Sequence, residues 1–196
     1  MRERFIVHIS REHGSLGGSV AKQLAEELGC PYYGSNILRD IGAEFGLDPE
    51  FLERFEEMPK ASMFRSFFGG NRARLEKALH ERVVEYLNDI NDREDRAVIL
   101  GRNAGNILER QDDVVNIFIV APMDDRVQNV MELYGLSEED AERRIHNVDR
   151  FREDFHKTHT HTEWRDMDSY DMVINTGKVG IDGAVHLIKE YLETKD

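Results

Sequence analysis

The chain predicts an α/β fold: a central parallel sheet of about five strands with helices on both faces. Three observations carry that prediction. Short apolar runs alternate with helix-period segments along the whole sequence. Ala97–Leu100 and Val114–Ala121 are continuously apolar, as strands covered on both faces are. The first run passes almost at once through a Gly/Ser-rich turn into a helix, the opening of a strand–turn–helix unit.

At 196 residues one domain is expected. A net charge of −13 argues against a general nucleic-acid or anionic-membrane binder. It leaves room for an anionic small ligand, since a local group of arginines outweighs a distant acidic surface. The partner expected is therefore a nucleotide or phosphorylated small molecule. No apolar run is long enough to span a bilayer and no secretory signal opens the chain, so a cytoplasmic location is expected. The single cysteine, Cys30, fits a reducing compartment and reads as a buried structural thiol.

Phe5, Ile6, Val7 and Ile9 form the first strand. Gly14, Ser15, Gly17, Gly18 and Ser19 make the turn, and Val20, Ala21, Leu24, Ala25 and Leu28 recur at helical spacing up to Gly29. Glycines before a helix N-terminus let the backbone approach a phosphate, and the first amides carry partial positive charge. The site is incomplete: where the pattern G-x-x-x-x-G-K-[ST] requires Lys, the chain has Gly17.

Pro31–Gly34 is a brief buried strand, and Asn36–Phe45 a modest helix. Asp48 and Pro49 start another helix, which Pro59 stops. Met63, Phe64, Phe67 and Phe68 are core residues or a homodimer contact, followed by a turn at Gly69–Asn71. Leu75 to Ile90 is a long amphipathic helix. After the strand Ala97–Leu100 comes the polar turn Gly101–Asn106. Pro122 closes the next strand, and Asp124 and Asp125 are expected to cap a helix that stops at Gly135. Ser137 is the expected N-cap of a charged helix running to about Lys157. A loop with histidines and Trp164 follows, then a strand Asp171–Asn175, a turn Thr176–Lys178 and a closing helix Ile181–Leu192. Three motifs thus fall beyond the carboxyl ends of strands, where such sheets bind ligands.

In their order, several words of the sequence resemble the cytidylate kinase-like family, a branch of the P-loop nucleoside monophosphate kinases. They are Ile9–Ser15 with Gly17 and Gly18; Pro31–Tyr33; Gly101–Ala104; Asp125–Arg126; Gly135–Glu139 with Ala141; Trp164; and Tyr170–Thr176 running into Gly180–Ala184. The resemblance covers nearly the whole chain. It implies a P-loop NTPase-like three-layer fold with a helical lid, binding ATP and Mg²⁺ in a single domain. Residues 35–95 would cover a monophosphate acceptor, and 143–164 would form the lid. Arg102 takes the family's acceptor-binding role; the next position is an Asp there and Asn103 here. Lid arginines carry over to Arg150 and Arg152, with Arg143 and Arg144 as rivals. In register, Arg11 and Leu16 replace the two glycines of the loop, and Gly17 replaces the Lys.

Arg11, at the strand's mouth, is the expected substitute cation, ahead of Lys22. Gly14, Ser15, Gly17, Gly18, Ser19 and Asn175 are expected at the nucleotide, with Ser19 also meeting Mg²⁺. The expected reaction is phosphoryl transfer from ATP to a nucleoside monophosphate or related acceptor. The competing reading is a nucleotide- or phosphate-binding regulator that does no chemistry. His156, His159 and His161, with Glu163, could chelate a metal, but solvated histidines are the preferred reading. Trp164 reads as core.

Overall fold

The computed structural model describes residues 4–44, 72–108 and 113–194. The helix expected from Asp48, the Met63–Phe68 segment and the Gly69–Asn71 turn lie outside the described residues. Twelve principal elements follow in order: β1 (Phe5–Arg11), α1 (Gly17–Leu28), β2 (Tyr32–Tyr33), α2 (Ser35–Glu44), α3 (Arg72–Arg93), β3 (Arg96–Leu100), α4 (Ala104–Ile107), β4 (Val114–Val120), α5 (Met123–Tyr134), α6 (Glu138–Thr160), β5 (Met172–Asn175) and α7 (Thr176–Thr194).

The five strands form one parallel sheet in the order β2-β3-β1-β4-β5. Crossover helices must cover both faces of such a sheet, which is why its central strands are apolar on both sides. Phe5, Val7 and Ile9 of β1 pack with Val20, Leu24, Val185 and Ile188 of α1 and α7. Ile6, pointing the other way, joins Ile37, Ile41, Leu87 and Ile90 of α2 and α3. This is the α/β arrangement, one parallel sheet of five strands with helices on both faces, that the alternation implied. A third cluster, Val127, Val130, Ala141 and Ile145, joins α5 to α6. Among the described residues no helix is long and apolar enough to cross a membrane.

Several local expectations change. Met123 begins α5, so Asp124 and Asp125 lie within its first turn and do not cap it by side chain; there they still face the positive end of the helix. Ser137 does cap α6, accepting from the Asp140 amide at 3.3 Å. That helix continues to Thr160, which places His156 and His159 on it and His161 at its C-cap. The expected turn Thr176–Lys178 is helical, because α7 starts directly after β5 and breaks only at Gly180 (φ 69°, ψ −177°). Part of the turn after β3 is also helical, as α4. Cys30 is half-buried, and burial pushes its thiol up, away from reactivity.

Candidate functional site

The carboxyl ends of β1, β3 and β4 meet at one edge of the sheet, and the turns after β1 and β3 build the site there. The first turn is pulled toward α5. Gly14 has φ 80°, and a Cβ on it would lie 2.7 Å from the Arg126 carbonyl oxygen. Asn129 donates to the Gly14 carbonyl at 2.8 Å. The glycine thus serves a close approach of the protein to itself.

Arg126, 4% exposed, organises this turn. Its Nε donates to the His13 carbonyl at 2.7 Å, and its other nitrogens pair with Glu12 and Asp149. Asp149 of α6 accepts from the His13 amide at 2.8 Å and from Arg165 at 3.2 Å. One buried guanidinium and one buried carboxylate therefore tie β1, α5 and α6 together. Buried charges persist only when paired and hydrogen-bonded in this way.

Arg11 crowds Gly17. A Cβ on Gly17 would stand 2.6 Å from the Arg11 Cβ and 3.3 Å from that of Ile119, so the stem of Arg11 lies across the start of α1. Its Nη1 would be 2.3 Å from a Cβ on Gly101, which puts the guanidinium over the turn after β3. Arg152 donates to the Arg11 carbonyl at 2.8 Å. Burial holds Arg11 below the ordinary arginine range, with Tyr32 and Asp149 offsetting it. Burial and the neighbouring Arg11 bring Arg102 to about 9 and Arg152 well below the ordinary value. Arg102 from the β3 turn and Arg152 from α6 thus both lie in the field of Arg11, an arrangement an anion would relieve.

The second turn is strained. Gly101, Arg102 and Asn103 all have positive φ, at 74°, 64° and 53°. Non-glycine residues there cost about 1–2 kcal/mol each. Asn103 Oδ1 accepts from His156 Nδ1 at 3.2 Å, while His156 Nε2 meets Thr162 Oγ1 at 2.9 Å. Burial lowers His156, which keeps the ring neutral and gives it one donor and one acceptor for that relay.

The expected residues fare unequally. Arg11, Arg102 and Arg152 converge, and Asn103 sits beside Arg102. Arg150 is exposed, on a different side of α6 from Arg152; two positions along a helix is nearly a half-turn. Lys22 and Arg143 are exposed as well. Ser15 is fully buried and its hydroxyl donates to the Glu12 carbonyl at 2.9 Å, so its side chain is spent inside the turn. Gly17 is buried under Arg11, Gly18 is half-buried and Ser19 is exposed. The amides of Gly17 and Gly18 are the donors that any helix start leaves unused. Asn175 Oδ1 accepts from the Gly177 amide at 3.0 Å, a cap on α7. Trp164 is 3% exposed and donates to Ser10 Oγ at 3.0 Å, edge-on to Phe118, as core packing requires. His159 bonds its own helix through Phe155, and among the described residues no group of histidines, cysteines or carboxylates could hold a metal ion.

Sequence reasoning missed the structural roles of Arg126, Asp149, Glu12 and Arg165. The signal was there for two of them. Arg126 falls on the apolar stripe Met123–Val127–Val130 of its helix, and Asp149 on the stripe Ala141–Ile145–Val148. A charge on a buried stripe needs a buried partner.

A model of the "Cytidylate kinase-like family" matches residues 6–178 of the chain. The cytidylate kinases of Pyrococcus horikoshii and Thermococcus sibiricus are 23% and 25% identical, over 100% and 98% of this chain and 92% and 90% of theirs. A uronate isomerase of Corynebacterium glutamicum is 33% identical over 128 residues, which are 64% of this chain and only 24% of that protein. Among solved structures, an uncharacterized protein of Eubacterium ventriosum superposes with a TM-score of 0.77 at 26% identity, over 97% of this chain and 99% of its own. A shikimate kinase of Bacteroides thetaiotaomicron shares the fold at a TM-score of 0.59 and 14% identity, over 96% and 98% of the two chains.

Proposed function

Because the chain belongs to the cytidylate kinase-like family, we propose that it transfers a phosphoryl group from ATP to a nucleoside monophosphate or a related small acceptor. The observation that carries this reading is the convergence of Arg11, Arg102 and Arg152 at the mouths of β1 and β3. Phosphoryl transfer needs positioning and charge neutralisation more than covalent help.

In this reading the donor polyphosphate lies on the turn after β1. The Gly17 and Gly18 amides meet it from below, and Arg11 covers it with the charge that the P-loop Lys usually brings. Arg102 and Asn103 face the acceptor. Residues 35–95 cover that acceptor, and 143–164 act as the lid that carries Arg152. Mg²⁺ asks little of the protein, since it keeps several waters and takes phosphate oxygens as ligands. The exposed hydroxyl of Ser19, in the first turn of α1, fits that limited role, and the ion would neutralise charge on the phosphates. Asn103 in place of the family's Asp offers a neutral donor and acceptor to a base edge. A second reading, nucleotide binding without turnover, draws on the glycine at the Lys position.

Radiolabelled ATP with Mg²⁺ and each common nucleoside monophosphate decides between them. The expected result is product with at least one acceptor, and an Arg11→Gln enzyme slower on the order of 100-fold. ATP binding with no product from any acceptor would leave only the second reading.

A further inference from the structure

His13 is the second residue after β1, and none of the expected roles uses it. Its backbone is held at both ends, by Asp149 at the amide and Arg126 at the carbonyl. Its ring is held as well. The residue is 8% exposed, and its ring lies 5.9 Å from that of Tyr134 at 32°. Arg144 stacks on the same tyrosine, 3.9 Å from the centroid. In that enclosure His13 Nε2 is buried and meets no hydrogen-bond partner among the described residues.

A buried ring nitrogen without a partner is a cost that folded proteins rarely carry without a use. Its surroundings say what would satisfy it. The charged groups acting on the ring are Arg11 of β1, Arg126 of α5, and Arg144 and Arg152 of α6. Asp149 and Glu12 are engaged by Arg126 and Arg165. Arg126 is already paired with Glu12 and Asp149, and Arg144 stacks on Tyr134. Water would supply only a dipole to the ring, whereas the fields of Arg11 and Arg152 favour an anion beside it. Burial and those arginines lower His13 to about 3, so without a ligand the ring is neutral at pH 7. The turn that carries it ends at the orphan amides of α1, a second feature suited to phosphate.

We propose that His13 is a phosphate-binding residue, its Nε2–H donating to an oxygen of the terminal phosphoryl group of the bound donor, between Arg11 and Arg152. It would supply from inside the turn a side-chain donor that a glycine-type loop lacks. This rests on the nucleotide-binding reading above, but it is tested apart from turnover.

The test is nitrogen NMR of the full chain labelled on histidine, with inorganic tripolyphosphate as the probe and His13→Gln to assign the signal. Calorimetry on the same samples reports binding independently. Without the probe, His13 stays neutral down to about pH 4. With it saturating, the His13 nitrogens shift and the ring takes up a proton at least about one pH unit higher, as an adjacent anion requires. His13→Ala should weaken tripolyphosphate binding about 10-fold or more, and His13→Gln, which keeps an N–H, less. Tight binding with an unmoved His13 signal would overturn the proposal and leave the nucleotide site intact. No binding to the wild-type chain would remove both.

Discussion

The turns flanking the ends of β1 and β3 both bring arginines to the edge of the sheet, yet the contacts described for them differ in kind. The first is gripped by charge: Arg126, Asp149, Glu12 and Arg165 lock residues 12–14 between α5 and α6. In the second, Asn103 rests on the neutral ring of His156, and three consecutive residues are left-handed. The contrast matches their proposed duties. A turn that cradles a polyphosphate gains from rigidity, because fixed dipoles need no reorganisation when charge develops. A turn that meets an exchanging acceptor gains from contacts that cost little to break. Both turns depend on α6, so motion of that helix would reach the two halves of the site together.

Breaking the charged grip should have the largest effect. Arg126→Ala leaves Asp149 and Glu12 without their main partner, and urea unfolding should show a loss of about 3–5 kcal/mol. Acid comes next, and it reaches both turns through histidines. His13 lies in the first; His8, beside Asn116 and Gly105, supports the segment after the second. Burial lowers His8 to about 4 and His13 to about 3, against 6.5 for the ordinary ring. Above pH 6.5 neither state is protonated there and neither histidine contributes. Below it the unfolded chain takes up protons that the folded chain refuses, so stability falls with pH until the folded values are reached. At pH 5 the loss should be about 2 kcal/mol per histidine relative to pH 7.5. His8→Gln should abolish about half of it.

The neutral hold is worth less. Asn103→Ala removes one hydrogen bond and places a less tolerant residue at positive φ, an expected loss of about 1–2 kcal/mol. A loss equal to that of Arg126→Ala would erase the contrast between the turns. The smallest effect has the opposite sign. Leu16 is left-handed at φ 60° and 37% exposed, so it pays backbone strain for little burial. Leu16→Gly should raise the melting temperature, with a gain of about 1 kcal/mol.

Much of the fold was legible because burial on both faces writes itself as apolar runs; Ala97–Leu100 and Val114–Ala121 were visible on sight, and they correspond to β3 and β4. So was the position of the Gly-rich turn. The charged grip was not, because an arginine inside a helix reads as solvated unless the face it shares is counted. The same counting separates Arg152 from Arg150, since one helix cannot bring both to one side. The packing of Gly14 against Arg126 was hidden for a related reason: a glycine in the sequence does not say whether a ligand or α5 stands where its Cβ would be. The start of α7 at Thr176 was hidden because Gly177 reads as a turn residue, while the structure needs it against Asp125, whose Oδ2 would lie 2.2 Å from a Cβ there.

Calorimetric titration of ATP into the wild-type and Arg11→Gln chains, without Mg²⁺ and at two salt concentrations, measures the central claim directly. If Arg11 supplies the charge the P-loop Lys would have brought, the variant should bind on the order of 30-fold more weakly, with a shallower dependence on salt. Equal affinities for the two chains would contradict it.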